Sequence, residues 1–189
     1  QDLIKKPCVY LPPGVDAIKF CPYPNPPQRS VDVYSIGRKS EVTHRALLTM
    51  AEEKKIFYIY DTIQSKETQR PGEHRGLLAN IAKRSRYFLV NAAKINQQDE
   101  TGGQSEIGYR YFEGAAAGTV MIGSHPNTDT FREHFDWPDA VISEDFDSAS
   151  IAETLNELDS QTTRLEAIRR NNVVQSLLRH DWTYRWKSI

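Results

Sequence analysis

The chain has little cysteine and no long hydrophobic run among its 189 residues. The two cysteines, Cys8 and Cys21, form no Cys-x-x-Cys pair and lie away from histidines at metal-ligand spacing. We therefore expect two reduced thiols, which favours a cytoplasmic protein. No apolar run approaches the length of about 18 residues that a membrane span needs, and no signal-peptide pattern opens the chain. Because the first residue is Gln1 rather than Met, we expect that upstream sequence is missing.

The chain also lacks a charge excess of either sign. Lys and Arg together number 24 and Asp and Glu 25, which gives a formal net charge of -1. This balance provides no electrostatic footprint for nucleic acid or for an anionic membrane. Any anion-binding site must therefore be local.

Several motifs of known chemistry are missing. Gly-x-Ser-x-Gly and Walker sequences do not occur, and no Gly-x-Gly-x-x-Gly follows the first predicted strand. Four of the five histidines show no His-x-x-x-His spacing: His44, His74, His125 and His134. We therefore expect no metal site and no cofactor.

Short apolar runs alternate with helical patterns in the central part of the chain. The predicted strands are Val31–Ile36, Ile56–Tyr60, Tyr87–Asn91, Thr119–Ile122 and Ala140–Ile142. The predicted helices between them are Thr43–Glu53, His74–Arg84, Glu106–Ala117 and Asp129–Phe135. Parallel strands need such long crossover connections, so the pattern predicts an α/β fold with a Rossmann-like, doubly wound parallel sheet.

The two ends of the chain differ from this centre. Seven of the ten prolines fall in the first 27 residues, which predicts an extended connector without helix over residues 1–29. The last forty residues predict two helices, with capping boxes at Ser150/Glu153 and Thr163/Glu166. We therefore divide the chain into a connector, a Rossmann-like domain over residues 30–178 and a closing helical tail over residues 179–189.

The aromatic tail allows three interpretations. It contains His180, Asp181, Trp182, Tyr184 and Trp186. These residues could form a nucleobase platform, a catalytic His/Asp pair, or a packing surface for a missing neighbour. Packing is favoured, since residues adjacent in sequence lie on different faces of a helix and suit a relay poorly.

Two cations follow the first predicted strand, in the sequence Gly37-Arg38-Lys39. Ligands of open parallel sheets bind beyond the carboxyl ends of the strands, where this turn falls. Arg offers a fork of donors and Lys a point charge, a combination that suits a diphosphate. The alternative is a solvated basic turn.

A second candidate is a helix that glycines open and that carries one carboxylate. Gly102 and Gly103 precede Gln104 and Ser105, and the predicted helix then carries Arg110 and Glu113. Free N–H groups at a helix start suit a phosphate, and a carboxylate turned toward the ligand could accept hydrogen bonds from two ribose hydroxyls. The alternative is an intrahelical ion pair of Arg110 with Glu106 or Glu113.

Three segments resemble the carboxyl-terminal half of GT-B glycosyltransferases of group 1, and particularly their spore-maturation glycosyltransferase-like branch. The segments are the interdomain sequence 9–16 with Phe20 and Pro22, the turn 35–38, and the helix 110–118. The tail 182–185 resembles the closing helix of that family. Ser105 stands where many members have a second glutamate.

The resemblance implies a donor-binding domain that supports transfer of a sugar from a nucleoside diphosphate sugar to an unidentified acceptor. Arg38 and Lys39 would be its catalytic residues, which neutralise the diphosphate. Gly37, Gly103, Gln104, Ser105, Arg110 and Glu113 would bind the donor, with Glu113 on the ribose. The acceptor site and general base would belong mostly to a missing amino-terminal domain, so the fragment alone would turn over little.

Two rival interpretations remain. The first is a non-catalytic nucleotide- or carbohydrate-binding module on the same fold. The second is a flavodoxin-like signalling or cofactor domain, which is disfavoured because a receiver needs acids where this chain has Arg38 and Lys39.

Overall fold

A computed structural model describes residues 10–61, 70–96 and 98–187. Within these residues one parallel sheet contains five strands in the order β2-β1-β3-β4-β5. The strands are β1 (Val31–Ser35), β2 (Tyr58–Tyr60), β3 (Ser85–Leu89), β4 (Val120–Gly123) and β5 (Ile142–Ser143). Strand order reverses between β1 and β3, which pair in parallel with Val33 opposite Tyr87. The predicted Rossmann-like α/β fold is confirmed.

Helices cover both faces of this sheet. Those described are α1 (Ala17–Phe20), α2 (Glu41–Glu52), α3 (Pro71–Lys83), α4 (Gln98–Thr101), α5 (Tyr109–Ala116), α6 (Asp129–His134), α7 (Ile151–Asp159), α8 (Thr162–Arg179) and α9 (Trp182–Trp186). One apolar core joins the sheet to α1, α3 and α5, and a second joins it to α2 and α7. Cores on both faces are what a doubly wound fold requires. No helix among the described residues is long and apolar enough to cross a membrane.

Strand β3 begins two residues before the predicted Tyr87. Its first residues are polar, and tertiary partners accommodate them. The Ser85 hydroxyl donates to the Ile81 carbonyl, and the Arg86 guanidinium pairs with Asp32 on β1 at 2.9 Å. Because Asp32 is distant in sequence from Arg86, the apolar pattern alone predicted a strand that begins too late.

Helix α5 begins at Tyr109, and the predicted start at Glu106 is wrong. The Glu106 carbonyl instead accepts a hydrogen bond from the Ala93 N–H in an isolated antiparallel bridge. Further along, Gly114 allows the helix to press on the sheet, since a Cβ there would lie 2.7 Å from Phe88. Every residue from Tyr111 to Ala116 is buried.

The carboxyl-terminal helices form as predicted, with different caps. Ser150 is the N-cap of α7, but its hydroxyl donates to Glu144 and accepts no hydrogen bond from the helix backbone. Helix α8 begins at Thr162 after Gln161, so the predicted cap at Thr163 is wrong. The helix reaches Arg179, as expected for one that continues toward His180.

The described part of the proline-rich segment, residues 10–29, packs on the rest of the chain. It contains the single turn α1, contrary to the expectation of no helix, because Asp16 caps that turn through the Lys19 N–H. Val15 forms a parallel bridge with Asp181 of the tail. The division at residues 29 and 178 stays a prediction, and Cys8 lies outside the described residues.

Arg29 joins this segment to the sheet. Its guanidinium donates to the carbonyls of Ser85, Ala117 and Gly118, which begin β3 and follow α5. Burial lowers the pKa of Arg29 to about 10, so the group stays charged at neutral pH. One side chain therefore supplies donors to three carbonyl groups from two elements.

Candidate functional site

A cavity of about 280 Å³ opens at the carboxyl edge of the sheet, where the strand order reverses between β1 and β3. We call it the carboxyl-edge cavity. Gly37 and Arg38 line one side, and Gly108 and Arg110 line the other. Open α/β sheets bind ligands at this switch point. The structure therefore brings the first predicted turn and the predicted helix together around one space.

The charge of this cavity is positive. Its lining residues include Arg38, Lys94 and Arg110, and none of those lining residues is acidic. The Lys94 ammonium lies 3.2 Å from the Glu100 carboxylate in an exposed pair. A concave surface with several cations favours an anionic ligand.

The amino terminus of α5 adds hydrogen-bond donors on the same side. Its N-cap, Gly108, lines the cavity and provides no side-chain hydrogen bond to the first turn. The first N–H groups of a helix have no intrahelical acceptor and carry the positive end of the dipole. This helix start, rather than the predicted one at residues 102–106, faces the cavity.

The predicted glycine-rich loop is elsewhere. Gly102 and Gly103 adopt positive φ angles and end α4 in a turn, in which the Gln104 N–H donates to the Thr101 carbonyl. Gly103, Gln104 and Ser105 are exposed and do not line the cavity. Their expected role as donor-binding amides is therefore not supported by their position, because the loop closes a short helix instead of opening a long one.

Glu113 is buried, with 3% of its side chain exposed. One oxygen accepts from Arg75 at 3.0 Å, and the other accepts from Arg110. The expected carboxylate turned toward a ligand is not what this structure shows, because two arginines occupy its oxygens. The intrahelical pair of Arg110 with Glu113 is present, whereas Glu106 lies outside the helix. The ribose contact of Glu113 stays a prediction.

Lys39 points toward β2. Its ammonium donates to the Asp61 carbonyl at 3.0 Å and lies 5.1 Å from the centre of the Tyr60 ring. Lys39 and Arg38 both line a smaller cavity of about 20 Å³ beside the main one. Only Arg38 of the two predicted cations therefore reaches the carboxyl-edge cavity.

His44 and Tyr58 line the same smaller cavity. The imidazole Nδ1 and the phenol oxygen lie 3.0 Å apart. Burial and the nearby Lys39 charge lower the pKa of His44, and burial raises the pKa of Tyr58 to about 12. Both groups are therefore uncharged at neutral pH.

Three further residues lie around the site that were not predicted from the sequence: Asn91, Lys94 and Arg75. Asn91 lines both cavities and lies two residues after the end of β3. Its place at a predicted strand end was a usable signal, since ligand-binding groups follow strand ends in this fold. Arg75 gave no signal, because its partner Glu113 is 38 positions away.

The histidine and aspartate of the tail have structural roles. His180 is 1% exposed, and its Nε2 lies 2.9 Å from the His134 carbonyl. Asp181 accepts from the N–H groups of Thr183 and Ala17. These contacts hold α9 against α1, so the pair forms neither a relay nor an open platform. Trp186 remains 69% exposed.

A second cavity, of about 270 Å³, lies at the opposite edge of the sheet. We call it the amino-edge cavity. Its lining includes Asp32, Arg86 and Asp159, and Arg86 bridges the two carboxylates. The Tyr87 hydroxyl also donates to Asp159. The charges of this cavity therefore neutralise one another.

A comparison with protein families identifies the chain. The model of a family described as glycosyl transferase-like matches residues 59–189, about two thirds of the sequence. The chain belongs to the glycosyl transferase-like family. No curated protein matches it significantly.

For this glycosyl transferase-like chain, the family supports a group 1 glycosyltransferase-type domain and glycosyl transfer as its general activity. The matched residues begin in β2 and include Arg110 and Glu113. The turn at Gly37 and Arg38 lies upstream of the match. The spore-maturation branch stays a prediction.

Proposed function

We propose that the chain is the donor-binding half of a GT-B glycosyltransferase of the spore-maturation-like branch. It binds a nucleoside diphosphate sugar and supports transfer of the sugar to an acceptor. One observation carries this proposal: a cavity with three cations and a helix amino terminus lies at the switch point of a glycosyl transferase-like fold. A diphosphate has the charge and the acceptor oxygens that this lining suits.

The proposed catalytic contribution is electrostatic. When the bond between sugar and diphosphate breaks, negative charge develops on the leaving diphosphate. Arg38 and Arg110 would stabilise that charge, with help from the first N–H groups of α5. Their positions are set before the reaction, because Glu113 holds Arg110 and the β1 end carries Arg38.

Glu113 acts through Arg110 in this proposal. Its carboxylate orients the guanidinium at the cavity wall, and Arg75 offsets the remaining charge. Lys39 contributes a longer-range positive charge from the end of β2. The acceptor site and the general base would belong mostly to an amino-terminal domain of the same protein, which would face the exposed aromatic side chain of Trp186.

Calorimetry with UDP, GDP and inorganic pyrophosphate tests the proposal. The native chain should bind at least one nucleotide and pyrophosphate, and Arg38→Ala should weaken both by about tenfold, as loss of a charged hydrogen bond predicts. Arg84→Ala is the matched control, because Arg84 is exposed at the opposite end of the sheet. Absence of binding by the native chain would overturn the proposal. Binding combined with no transfer by the full-length protein would favour the non-catalytic module.

A further inference from the structure

Asn91 occupies a special position between the two cavities of the carboxyl edge. It lies two residues after the end of β3 and lines both the carboxyl-edge cavity and the smaller cavity of about 20 Å³ beside it. Arg38 and Leu89 are the other residues that line both. A polar group at this point can reach a ligand that occupies either space.

The orientation of the Asn91 amide follows from its contacts with Ser124. The Ser124 N–H donates to Oδ1 at 3.3 Å, and the Ser124 hydroxyl donates to the same oxygen at 3.0 Å. A backbone N–H can only donate, so the amide atom that faces it must be the oxygen. The nitrogen Nδ2 is consequently the polar atom left for a ligand, and within the described residues it donates to no protein group.

Gly123 makes this contact possible. Its φ of +146° and its position allow no side chain, since a Cβ would stand 1.8 Å from the Val90 carbonyl oxygen. The close approach of β4 to the end of β3 brings Ser124 next to Asn91. On the other side, the Tyr111 hydroxyl of α5 donates to the Ser124 carbonyl at 2.5 Å. Ser124 is thus fixed from two elements, and the Asn91 amide is fixed by Ser124.

We infer that Asn91 contacts the ligand and donates its Nδ2 to a phosphoryl oxygen of the bound diphosphate. This inference rests on the proposed function of the same cavity. Because Oδ1 is already occupied by two donors, Asn91 offers a donor and no acceptor. It therefore selects ligand groups that accept hydrogen bonds, as phosphoryl oxygens do, and complements the cations Arg38 and Arg110.

Ser124 is the positioning residue in this arrangement. Without its hydroxyl, only the backbone N–H would hold the amide oxygen, and the amide would lose part of its preference for one orientation. Ser124→Ala should therefore weaken diphosphate binding less than Asn91→Ala. The two effects should not add, because both variants remove the same oriented donor.

The test uses the complete chain and inorganic pyrophosphate. In nitrogen-15 correlation spectra, the side-chain NH₂ signals of Asn91, assigned with Asn91→Ala, should move during titration, whereas those of Asn156 at the amino-edge cavity should not. The dissociation constant should rise about tenfold in Asn91→Ala and about threefold in Ser124→Ala. Asn91→Asp should bind pyrophosphate more weakly than Asn91→Ala does, because it places a negative charge at the cavity. Asn156→Asp, which adds the same charge elsewhere, should bind pyrophosphate as the native chain does.

The outcomes separate the two proposals. If Arg38→Ala weakens pyrophosphate binding while Asn91→Ala does not and its NH₂ signals stay fixed, the Asn91 inference is wrong and the proposed function stands. If the native chain binds neither pyrophosphate nor a nucleotide, both are wrong. Chemical-shift dispersion of each variant shows whether it is folded. If Asn91→Ala does not fold, the pyrophosphate affinity of Ser124→Ala tests the inference instead.

Discussion

The two edges of the sheet carry cavities of nearly equal volume, about 280 Å³ at the carboxyl edge and about 270 Å³ at the amino edge. Their charges are arranged differently. At the carboxyl edge the carboxylate of Glu113 lies behind the wall, so the lining itself presents cations. At the amino edge Asp32 and Asp159 are part of the lining and pair with Arg86 across it. The two cavities therefore differ in the placement of the counter-charge and not in volume.

The largest effect that we expect is a loss of folding stability at low pH. It arises from His180, which lines neither cavity. Burial, with the nearby charges of Arg185 and His134, lowers the pKa of His180 from 6.5 to about 3. The unfolded chain takes up this proton below pH 6.5 and the folded chain does not. Stability is therefore complete above pH 6.5 and falls as the pH decreases toward 3, by about 1.4 kcal/mol for each pH unit.

Urea unfolding of the native chain and of His180→Gln between pH 7 and pH 4 measures this effect. The variant should show a smaller loss of stability over that range. Identical pH dependence in the two proteins would show that His180 does not control it. Binding to the two cavities should therefore be compared above pH 6.5, where the folded chain keeps its full stability.

Removing one arginine from each edge tests the comparison directly. Arg110→Ala should raise the dissociation constant of pyrophosphate by about thirtyfold, because charged hydrogen bonds contribute about 2 kcal/mol. Arg86→Ala should leave that constant unchanged and lower the free energy of unfolding by about 1 kcal/mol, since Asp32 and Asp159 lose their shared partner and are partly screened by solvent. Calorimetry and urea unfolding of both variants check this, and equal losses of affinity would contradict the distinction.

Glu113→Gln separates two roles of the buried carboxylate. If Glu113 positions Arg110, the dissociation constants of pyrophosphate and of UDP should both rise by about fivefold in the variant. If Glu113 contacts the ribose instead, only UDP binding should weaken. Glu166→Gln, an exposed change on α8, is the control and should match the native chain.

Tyr87→Phe should have the smallest effect, and only on stability. The variant loses the hydrogen bond from the phenol to Asp159, at a cost of about 0.5–1 kcal/mol. Burial and the Asp159 charge raise the pKa of Tyr87 above its ordinary value of 10.0. The stability difference between the native chain and the variant should therefore be constant below pH 10 and shrink as the pH rises above it. A difference in pyrophosphate affinity would show that the amino-edge cavity contributes to binding.

Local pattern accounts for most of the fold. The apolar, β-branched runs at Val31 and Val120 identified β1 and β4 to within one residue at each end. The errors occur where a distant partner changes a local preference. Arg86 enters a strand because Asp32 and Asp159 pair with its guanidinium. Helix α5 starts late because Glu106 pairs with Ala93.

The candidate site was also predictable only where local sequence determines it. A glycine and a cation after a strand identified Gly37 and Arg38, because the fold fixes where strand ends lie. Sequence spacing also identified the pair of Arg110 with Glu113. It could not show that Arg75 completes the burial of that carboxylate, nor that Ser124 turns the Asn91 amide, since both depend on how separate elements pack.

The contacts of Arg29 have a practical consequence for shortening the chain. A fragment that started at Ser30 would keep all five strands described above and leave the carbonyls of Ser85, Ala117 and Gly118 without their guanidinium donor. It would also lose Val15, whose backbone exchanges hydrogen bonds with His180 and Trp182. Residues 10–29 thus stabilise contacts at β3 and α5 and also the region of His180 and Trp182. Removing them should destabilise both parts of the structure.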